Sequence, residues 1–311
     1  MNERVVVLTG ASSGIGRAAA KAFAARGDRL VLAARGAADL AVVAAECGND
    51  PLVVTADVTR RDEVEALADA AVQRYGRIDV WVDSAAVMAY GRFEDLPAEV
   101  FERAVTTDLL GPANVARAAL RHFRGQGQGT LILVSSLLSR VTVPYMSAYT
   151  TAKWGARALA RTLHQETRDA PRIHVCTLAP GSVDTPIYTS AANYAGFVGR
   201  PPPPVDSAEY VAARVLRLAD RPRPQASVGL ANRVIELGYN LFPPFYDALV
   251  TPLMRAGGLG RARIGPGAGN VFRPAARVEG GPGRVSRRQV EAAGVLAASA
   301  LIALGLRAAR R

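Results

Sequence analysis

The sequence predicts a doubly wound α/β fold, in which a parallel sheet carries helices on both faces. Short apolar runs rich in β-branched residues recur along the chain and alternate with segments of helical periodicity. This alternation at βαβ spacing is typical of parallel strands that are buried on both faces. A glycine-rich turn directly after the first run predicts a ligand at the carboxyl ends of the strands. With 311 residues, the chain is long enough for one large domain or two small ones.

The first predicted strand, 5–8, leads directly into a glycine-rich turn, and a helix over 17–25 follows. Glycines let the backbone approach a ligand closely, and the free N–H groups at a helix N-terminus favour an anion. The segment therefore predicts a dinucleotide site; the alternative is a tight turn with a purely structural role. The turn residues expected to bind the cofactor are Gly10, Ser12, Ser13, Gly14, Ile15 and Gly16.

The residue just after the second predicted strand, 30–33, indicates which dinucleotide binds. An acidic side chain there would bind a ribose 2′-hydroxyl and favour NAD, but the chain reads Ala33-Ala34-Arg35. Because an arginine suits a 2′-phosphate, Arg35 favours NADP over NAD. The alternative is an ordinary surface arginine, which is common in so arginine-rich a chain.

The remaining strands and helices bring two hydroxyl groups to one edge of the predicted sheet. The fifth strand ends at Ser136, and Tyr149 follows thirteen residues later, where the next helix opens. A strand end and the following helix can place both hydroxyls in one crevice. Further strands are predicted at 52–54, 78–82, 130–134 and 174–178, with helices over 61–75 and 101–123.

Tyr149 and Lys153 form the pair on which the predicted chemistry depends. Their spacing of four residues places a phenol and an ammonium on one face of a helix. Lysine occurs in the chain only at Lys21 and Lys153, whereas every other basic residue is arginine apart from three histidines. Taken alone, the pair could equally be a solvated pair on a surface helix.

In this order, the motifs resemble the short-chain dehydrogenase/reductase family over roughly residues 4 to 250. The resemblance implies a Rossmann-like sheet of about seven strands, the last one near 226–229. It also implies interconversion of an alcohol and a ketone or aldehyde with NAD(P), by a homodimer or homotetramer. The match rests on Thr9-Gly10-x-x-x-Gly14-x-Gly16, Asp57, Ser136, Tyr149-x-x-x-Lys153 and Pro180-Gly181-x-Val183-x-Thr185.

The resemblance also assigns roles to single positions. Asp57 would contact the adenine, and Val183 and Thr185 would contact the nicotinamide amide. Lys153 would bind the nicotinamide ribose. The remaining positions expected in the cofactor site are Val58, Ala85, Pro180 and Gly181.

Reduction of a ketone builds negative charge on oxygen, so a proton donor of suitable pKa is required. The ordinary pKa of tyrosine, about 10, makes it a weak acid, but Lys153 and an oxidised nicotinamide both favour the phenolate. We therefore expect Tyr149 to act as general acid and base. Ser136 would hold and orient the carbonyl oxygen.

The chain departs from the family's asparagines in two places. Asp108 stands where a family asparagine relays protons through water to the lysine, and Asp83-Ser84-Ala85-Ala86 replaces an Asn-Asn-Ala-Gly turn. An ionised aspartate accepts hydrogen bonds but donates none, and it adds negative charge beside Lys153. We expect Asp108 to complete the catalytic set and activity to survive. The alternative is an inactive cofactor-binding scaffold or sensor.

Composition excludes several other functions. The two cysteines, Cys47 and Cys176, are far apart, and the three histidines share no ligand spacing, so neither a disulfide framework nor a metal site is expected. These features and the lack of a secretory signal favour a cytoplasmic protein. The net charge of +11 is concentrated in the tail, where residues 255–311 hold eleven arginines against two glutamates. Nucleic acid binding is not expected, because the tail lacks interleaved aromatic residues.

The chain is predicted to divide into a catalytic domain (1–255), a linker rich in Gly, Pro and Arg (256–286) and an apolar helix flanked by arginines (287–311). The uncharged run of that helix has 15 residues, fewer than the roughly 20 that span a bilayer. It suits a short membrane anchor at a membrane surface, an oligomerisation helix or an ordinary packed helix. The irregular segment 187–204 suits either a lid over a fairly apolar substrate or a solvated connection.

Overall fold

The computed structural model of the chain describes residues 3–274. Its strands are β1 (Val5–Thr9), β2 (Arg29–Ala34), β3 (Leu52–Thr55), β4 (Val80–Asp83), β5 (Ala89–Tyr90), β6 (Gly129–Val134), β7 (Ile173–Ala179), β8 (Ser182–Asp184), β9 (Ala192–Asn193), β10 (Phe197–Gly199), β11 (Val205–Ser207), β12 (Gln225–Ser227) and β13 (Leu259–Arg263). Its α-helices are α1 (Gly14–Ala24), α2 (Ala37–Cys47), α3 (Arg61–Tyr75), α4 (Ala98–Val105), α5 (Gly111–Gln126), α6 (Ser147–Glu166), α7 (Ala208–Asp220), α8 (Leu230–Leu241) and α9 (Pro243–Leu253).

The predicted doubly wound sheet is confirmed. Within the described residues, seven parallel strands form one sheet in the order β3-β2-β1-β4-β6-β7-β12. The last strand, Gln225–Ser227, overlaps the position expected near 226–229 and pairs with β7. The strand order reverses between β1 and β4, so a crevice opens at the carboxyl ends of these two strands.

Alternate residues of each central strand pack against opposite helix layers, because side chains on a strand alternate between faces. Val6 and Leu8 of β1 pack in one apolar cluster with residues of α1 and α7. Val7 lies in the other cluster with residues of α3 and α5. The sheet is thus covered on both faces, which explains why its strands are continuous apolar runs in the sequence.

The predicted long helix over 101–123 is interrupted by a π-helical turn. Helix α4 ends at Val105, the turn covers Thr106–Leu110, and α5 begins at Gly111. Such turns are rare and occur frequently at functional sites. Asp108 lies in this turn and is fully buried.

The described part of the predicted linker, 256–274, lies against the body of the protein. Strand β13 pairs with β10 in an antiparallel ladder. Residues 264–274, here called the C-terminal strap, continue from it and exchange main-chain hydrogen bonds with the segment that follows β8. The proposed division into three parts stays a prediction, and 287–311 falls outside the described residues.

No helix in the described range 3–274 is long and apolar enough to cross a membrane. The same range contains no group of three or more His, Cys, Asp or Glu side chains placed to hold a metal ion.

Candidate active site

The glycine-rich turn after β1 packs directly against the turn after β4. Gly10 has a φ of 73°, and a Cβ atom there would lie 2.5 Å from the Ala85 nitrogen. A Cβ atom on Gly16 would overlap the Gly10 carbonyl oxygen. Only glycine therefore fits at both positions, and the backbone at the start of α1 is left open to an anion.

The loop after β7 closes the other side of this turn. A Cβ atom on Gly14 would lie 3.0 Å from the Thr185 methyl group. The Pro180 carbonyl accepts a hydrogen bond from the Leu137 amide (2.7 Å), which ties the ends of β6 and β7 together. Val183 is buried beneath the loop. The structure thus brings the predicted pyrophosphate and nicotinamide motifs to one cleft.

Asn232, which the sequence did not point to, supports the same loop from α8. Its buried side chain donates to the Val228 carbonyl (2.6 Å), and a Cβ atom on Gly181 would lie 2.5 Å from its oxygen. A glycine at 181 is required by this contact.

Arg35 and Asp57 lie together at the ends of β2 and β3. The Arg35 guanidinium donates to the Asn270 carbonyl (2.7 Å) and the Val271 carbonyl (3.1 Å), and burial lowers its pKa. Within the described part of the chain, it forms no ion pair. Asp57 instead accepts from the Thr59 amide (2.9 Å) and pairs with Arg103, a contact that the sequence did not indicate.

Ser136, Tyr149 and Lys153 meet at the ends of β6 and the start of α6. Tyr149 is 6% exposed and Lys153 is 3% exposed. The Lys153 Nζ atom lies 5.3 Å from the centre of the Tyr149 ring. The sequence-predicted set is therefore assembled in one buried site.

The pKa of Tyr149 differs from our expectation. Lys153 and an oxidised nicotinamide together were expected to lower it, but in the protein alone the pKa is raised, because burial disfavours the phenolate and the nearby Asp108 carboxylate repels it. Hydrogen bonding by the Ser136 side chain lowers it by less. The site as it stands keeps the phenol protonated.

Two buried aspartates flank Lys153. Asp108 accepts from the Val87 amide (2.9 Å) through Oδ1, while its Oδ2 atom has no hydrogen-bond partner in the described region. Burial raises the pKa of Asp108 to about 7, although the charge of Lys153 opposes this. Burial likewise raises the pKa of Asp83, which accepts from the Thr9 hydroxyl (2.7 Å). Asp83 and Asp108, which replace family asparagines, therefore both interact electrostatically with Lys153.

Tyr149 packs in a cluster of largely apolar side chains. Tyr188, from the segment predicted as lid or connection, packs here, and burial raises its pKa to about 12. Tyr90 is fully buried in the same cluster, and it was missed because β5 is too short to give a sequence pattern. Other members include Met88, Met146, Ile187, Ala191, Met254 and Leu259.

A family model described as short chain dehydrogenase matches residues 4–194. This match covers more than half of the chain and spans the glycine-rich turn, Ser136, Tyr149 and Lys153. The chain belongs to the short-chain dehydrogenase family. Short-chain dehydrogenases bind nicotinamide dinucleotides, so the protein is an oxidoreductase that acts on CH–OH or carbonyl groups of small molecules.

Relatives of this short-chain dehydrogenase include oxidoreductases of bacteria and archaea. The uncharacterized oxidoreductase YxnA of Bacillus subtilis is 32% identical over 264 residues, covering 82% of this chain and 73% of the relative. Cis-4-hydroxycyclohexanecarboxylate dehydrogenase of Sinomonas cyclohexanicum is 39% identical over 188 residues, covering 60% and 75%. The structure of alcohol dehydrogenase from the archaeon Thermococcus sibiricus, complexed with 5-hydroxy-NADP, matches with a TM-score of 0.64 and 30% identity, over 73% of this chain and 96% of that one.

Proposed function

We propose that this short-chain dehydrogenase uses NADP(H) to interconvert a mainly apolar alcohol and its ketone or aldehyde. The observation that carries the cofactor preference is Arg35, a partly buried cation at the end of β2 with no carboxylate bonded to it. A 2′-phosphate would form charge-assisted hydrogen bonds with this guanidinium, which has the charge of Asp57 near it but no ion pair within residues 3–274. The acidic residue that binds a 2′-hydroxyl is lacking at this strand end.

The glycine-rich turn supports a dinucleotide site, because Gly10, Gly14 and Gly16 lie so close to neighbouring atoms of the protein that only bare main chain fits there. Ser12, Ser13 and Ile15 complete this turn. Asp57, Val58 and Ala85 would hold the adenosine end, and Pro180, Gly181, Val183 and Thr185 the nicotinamide end. A bound nicotinamide supplies the hydride, and its oxidised form adds a positive charge that favours the Tyr149 phenolate.

Tyr149 is the proposed general acid for reduction and general base for oxidation, because its side chain lies with Ser136 and Lys153 in one buried site. Ser136 would donate to the substrate oxygen. Lys153 would bind the nicotinamide ribose and offset the charge of a phenolate. Asp108 is fully buried near both Lys153 and Tyr149, and we assign it a positioning role in which its carboxylate raises the pKa of Tyr149.

The side chains around Tyr149 favour an apolar substrate. They include three methionines and several tyrosines, and methionine adapts to irregular shapes. The name of the Sinomonas relative describes an alcohol on a cyclohexane ring. We propose cyclic secondary alcohols and their ketones as the first substrates to test.

The test of this function is oxidation of NADPH by the purified protein in the presence of cyclic ketones and aldehydes, followed at the absorbance of the reduced nicotinamide. Turnover with at least one carbonyl is expected. The proposal would be contradicted if the protein did not oxidise NADPH or NADH with any carbonyl and did not reduce NADP or NAD with any of the corresponding alcohols.

Arg35→Ala tests the cofactor preference. We expect it to weaken NADPH binding by about tenfold to a hundredfold and to leave NADH binding nearly unchanged, because only the 2′-phosphate loses its charge-assisted hydrogen bonds. Dissociation constants from fluorescence titration would measure this. Arg60→Ala, which removes an exposed arginine 62% accessible to solvent, is the matched control. An equal loss for both cofactors would refute the 2′-phosphate assignment.

The second candidate is a cofactor-binding sensor without turnover. The raised pKa of Tyr149 favours it, since a phenol that stays protonated is a poor base for alcohol oxidation. It predicts that NADPH binds without being oxidised. It also predicts that the protein binds a partner or a lipid surface and that deletion of 256–311 abolishes this binding. Membrane contact of the tail and assembly as a homodimer or homotetramer stay predictions.

A further inference from the structure

The C-terminal strap connects the substrate side of the cleft with Arg35 at its adenosine side. It is bonded first to the segment around β9: Gly267 exchanges two main-chain hydrogen bonds with Asn193 (2.8 and 3.0 Å), and the Asn270 amide donates to the Ser190 carbonyl (2.8 Å). It then reaches Arg35 through the carbonyls of Asn270 and Val271. Pro274 ends the described strap beside Gly36, the residue after Arg35.

Val271 anchors this strap. Its side chain is fully buried in an apolar cluster with Val87 after β4, Val100 and Ala104 of α4, and Ala148 of α6. The flanking residue Phe272 is 44% exposed by contrast. One buried apolar side chain and several main-chain hydrogen bonds therefore hold a segment that is otherwise largely exposed. Segments with so few buried apolar contacts open locally at a lower free energy than the core does.

The strap uses two of the five guanidinium N–H donors of Arg35, one on each terminal nitrogen, and a bidentate 2′-phosphate would compete for them. Both terminal nitrogens of Arg35 already donate to strap carbonyls. A carbonyl carries only a partial negative charge, so a phosphate forms stronger hydrogen bonds with the same guanidinium. A ribose 2′-hydroxyl is uncharged, so its hydrogen bonds with Arg35 would be weaker than those of a phosphate.

We propose that the C-terminal strap is an internal competitor for the 2′-phosphate of NADP, and that it reduces the preference of this enzyme for NADP over NAD. The inference rests on the proposed cofactor site. In the docked state the strap occupies Arg35, and binding of a 2′-phosphate releases it. The apparent affinity for NADP is reduced by the fraction of molecules in which the strap is docked, whereas the affinity for NAD is not.

Gly269→Ala tests this directly. Gly269 has a φ of 51°, and a Cβ atom there would overlap the Ser190 carbonyl oxygen and the Ala191 backbone, so alanine forces the strap away. Gly267→Ala is the matched control, because a Cβ atom at that position meets nothing within 4 Å. Neither glycine belongs to the cofactor turn or the catalytic set.

The probes are 2′,5′-ADP, which carries the 2′-phosphate, and AMP, which lacks it, titrated by calorimetry. If the strap is docked in about nine molecules of ten, Gly269→Ala binds 2′,5′-ADP about tenfold more tightly than the wild type. Gly267→Ala behaves as the wild type, and AMP binds equally to all three. Binding of 2′,5′-ADP to Gly269→Ala that is unchanged or weaker overturns the proposal.

Hydrogen exchange of the wild type provides a second readout that needs no substitution. Peptides covering 264–274 should exchange faster with 2′,5′-ADP than with AMP, while peptides from β7 stay unchanged. Slower exchange with 2′,5′-ADP would mean that the strap closes over the ligand and would overturn competition. If neither nucleotide binds the wild type or either variant, both the proposed cofactor site and the strap proposal are wrong. If both nucleotides bind but the variants do not differ from the wild type, only the strap proposal is wrong.

Discussion

Tyr149→Phe is expected to lower the rate of carbonyl reduction by about 10²- to 10⁴-fold, which is the usual contribution of a positioned general acid. The substitution removes only the hydroxyl group, and the ring stays packed in the apolar cluster beside the cleft. Binding of NADPH should therefore change little. Steady-state rates with the best carbonyl of the panel, together with NADPH titration, measure both effects.

Tyr75→Phe is the matched control, since the Tyr75 hydroxyl lies at the far side of the sheet, 3.5 Å from the Leu30 carbonyl. It should leave the rate unchanged. If Tyr149→Phe keeps the wild-type rate while binding the cofactor normally, Tyr149 is not the proton donor. Another side chain near Tyr149 would then have to donate the proton. Tyr188, which packs in the same cluster, is the first to examine.

The central sheet could be predicted from the sequence because its strands are buried on both faces. β1, β4 and β6 contain continuous apolar runs for this reason, whereas His174 and Thr177 interrupt the run of β7. β12 is different: its three residues are only half-buried and carry no apolar run, so its position came from the resemblance alone. The spacing of Tyr149 and Lys153 and their order after Ser136 likewise sufficed to predict that they meet in one site.

Contacts made by the main chain could not be predicted in the same way. The strap is held largely by backbone hydrogen bonds, which leave no side-chain pattern, and its glycines and prolines indicated a linker. The sequence showed that Asp108 replaces an asparagine, but not that its carboxyl group is fully buried with one oxygen unpaired. Its pKa, and hence its effect on Tyr149, depends on that burial.

Asp108→Asn is expected to raise the free energy of unfolding by about 2–4 kcal/mol at pH 8. Burial raises the pKa of Asp108 from 3.8 to about 7, so at pH 8 the folded protein holds an ionised carboxylate in an apolar environment. Asparagine keeps the oxygen that accepts from the Val87 amide and removes the charge. Urea unfolding of the wild type and the variant would measure the difference.

The effect should depend on pH in a defined direction. The unfolded carboxyl group loses its proton near pH 4 and the folded one near pH 7, so between these values the folded state binds more protons. The free energy of unfolding of the wild type therefore falls relative to the variant as pH rises from 4 to 7, and the gap is constant above that range. Asp95→Asn, at an exposed position, is the control and should show no such gap.

The same substitution should change catalysis. Because the Asp108 carboxylate raises the pKa of Tyr149, Asp108→Asn lowers it, and the pH at which alcohol oxidation reaches half its maximum should shift downward. Less stability in Asp108→Asn than in the wild type at pH 8 would contradict this account. The charge of Asp108 would then be needed to balance the buried Lys153. The main effect of the aspartate would be to stabilise the fold as a counter-ion, and its effect on the pKa of Tyr149 would be secondary.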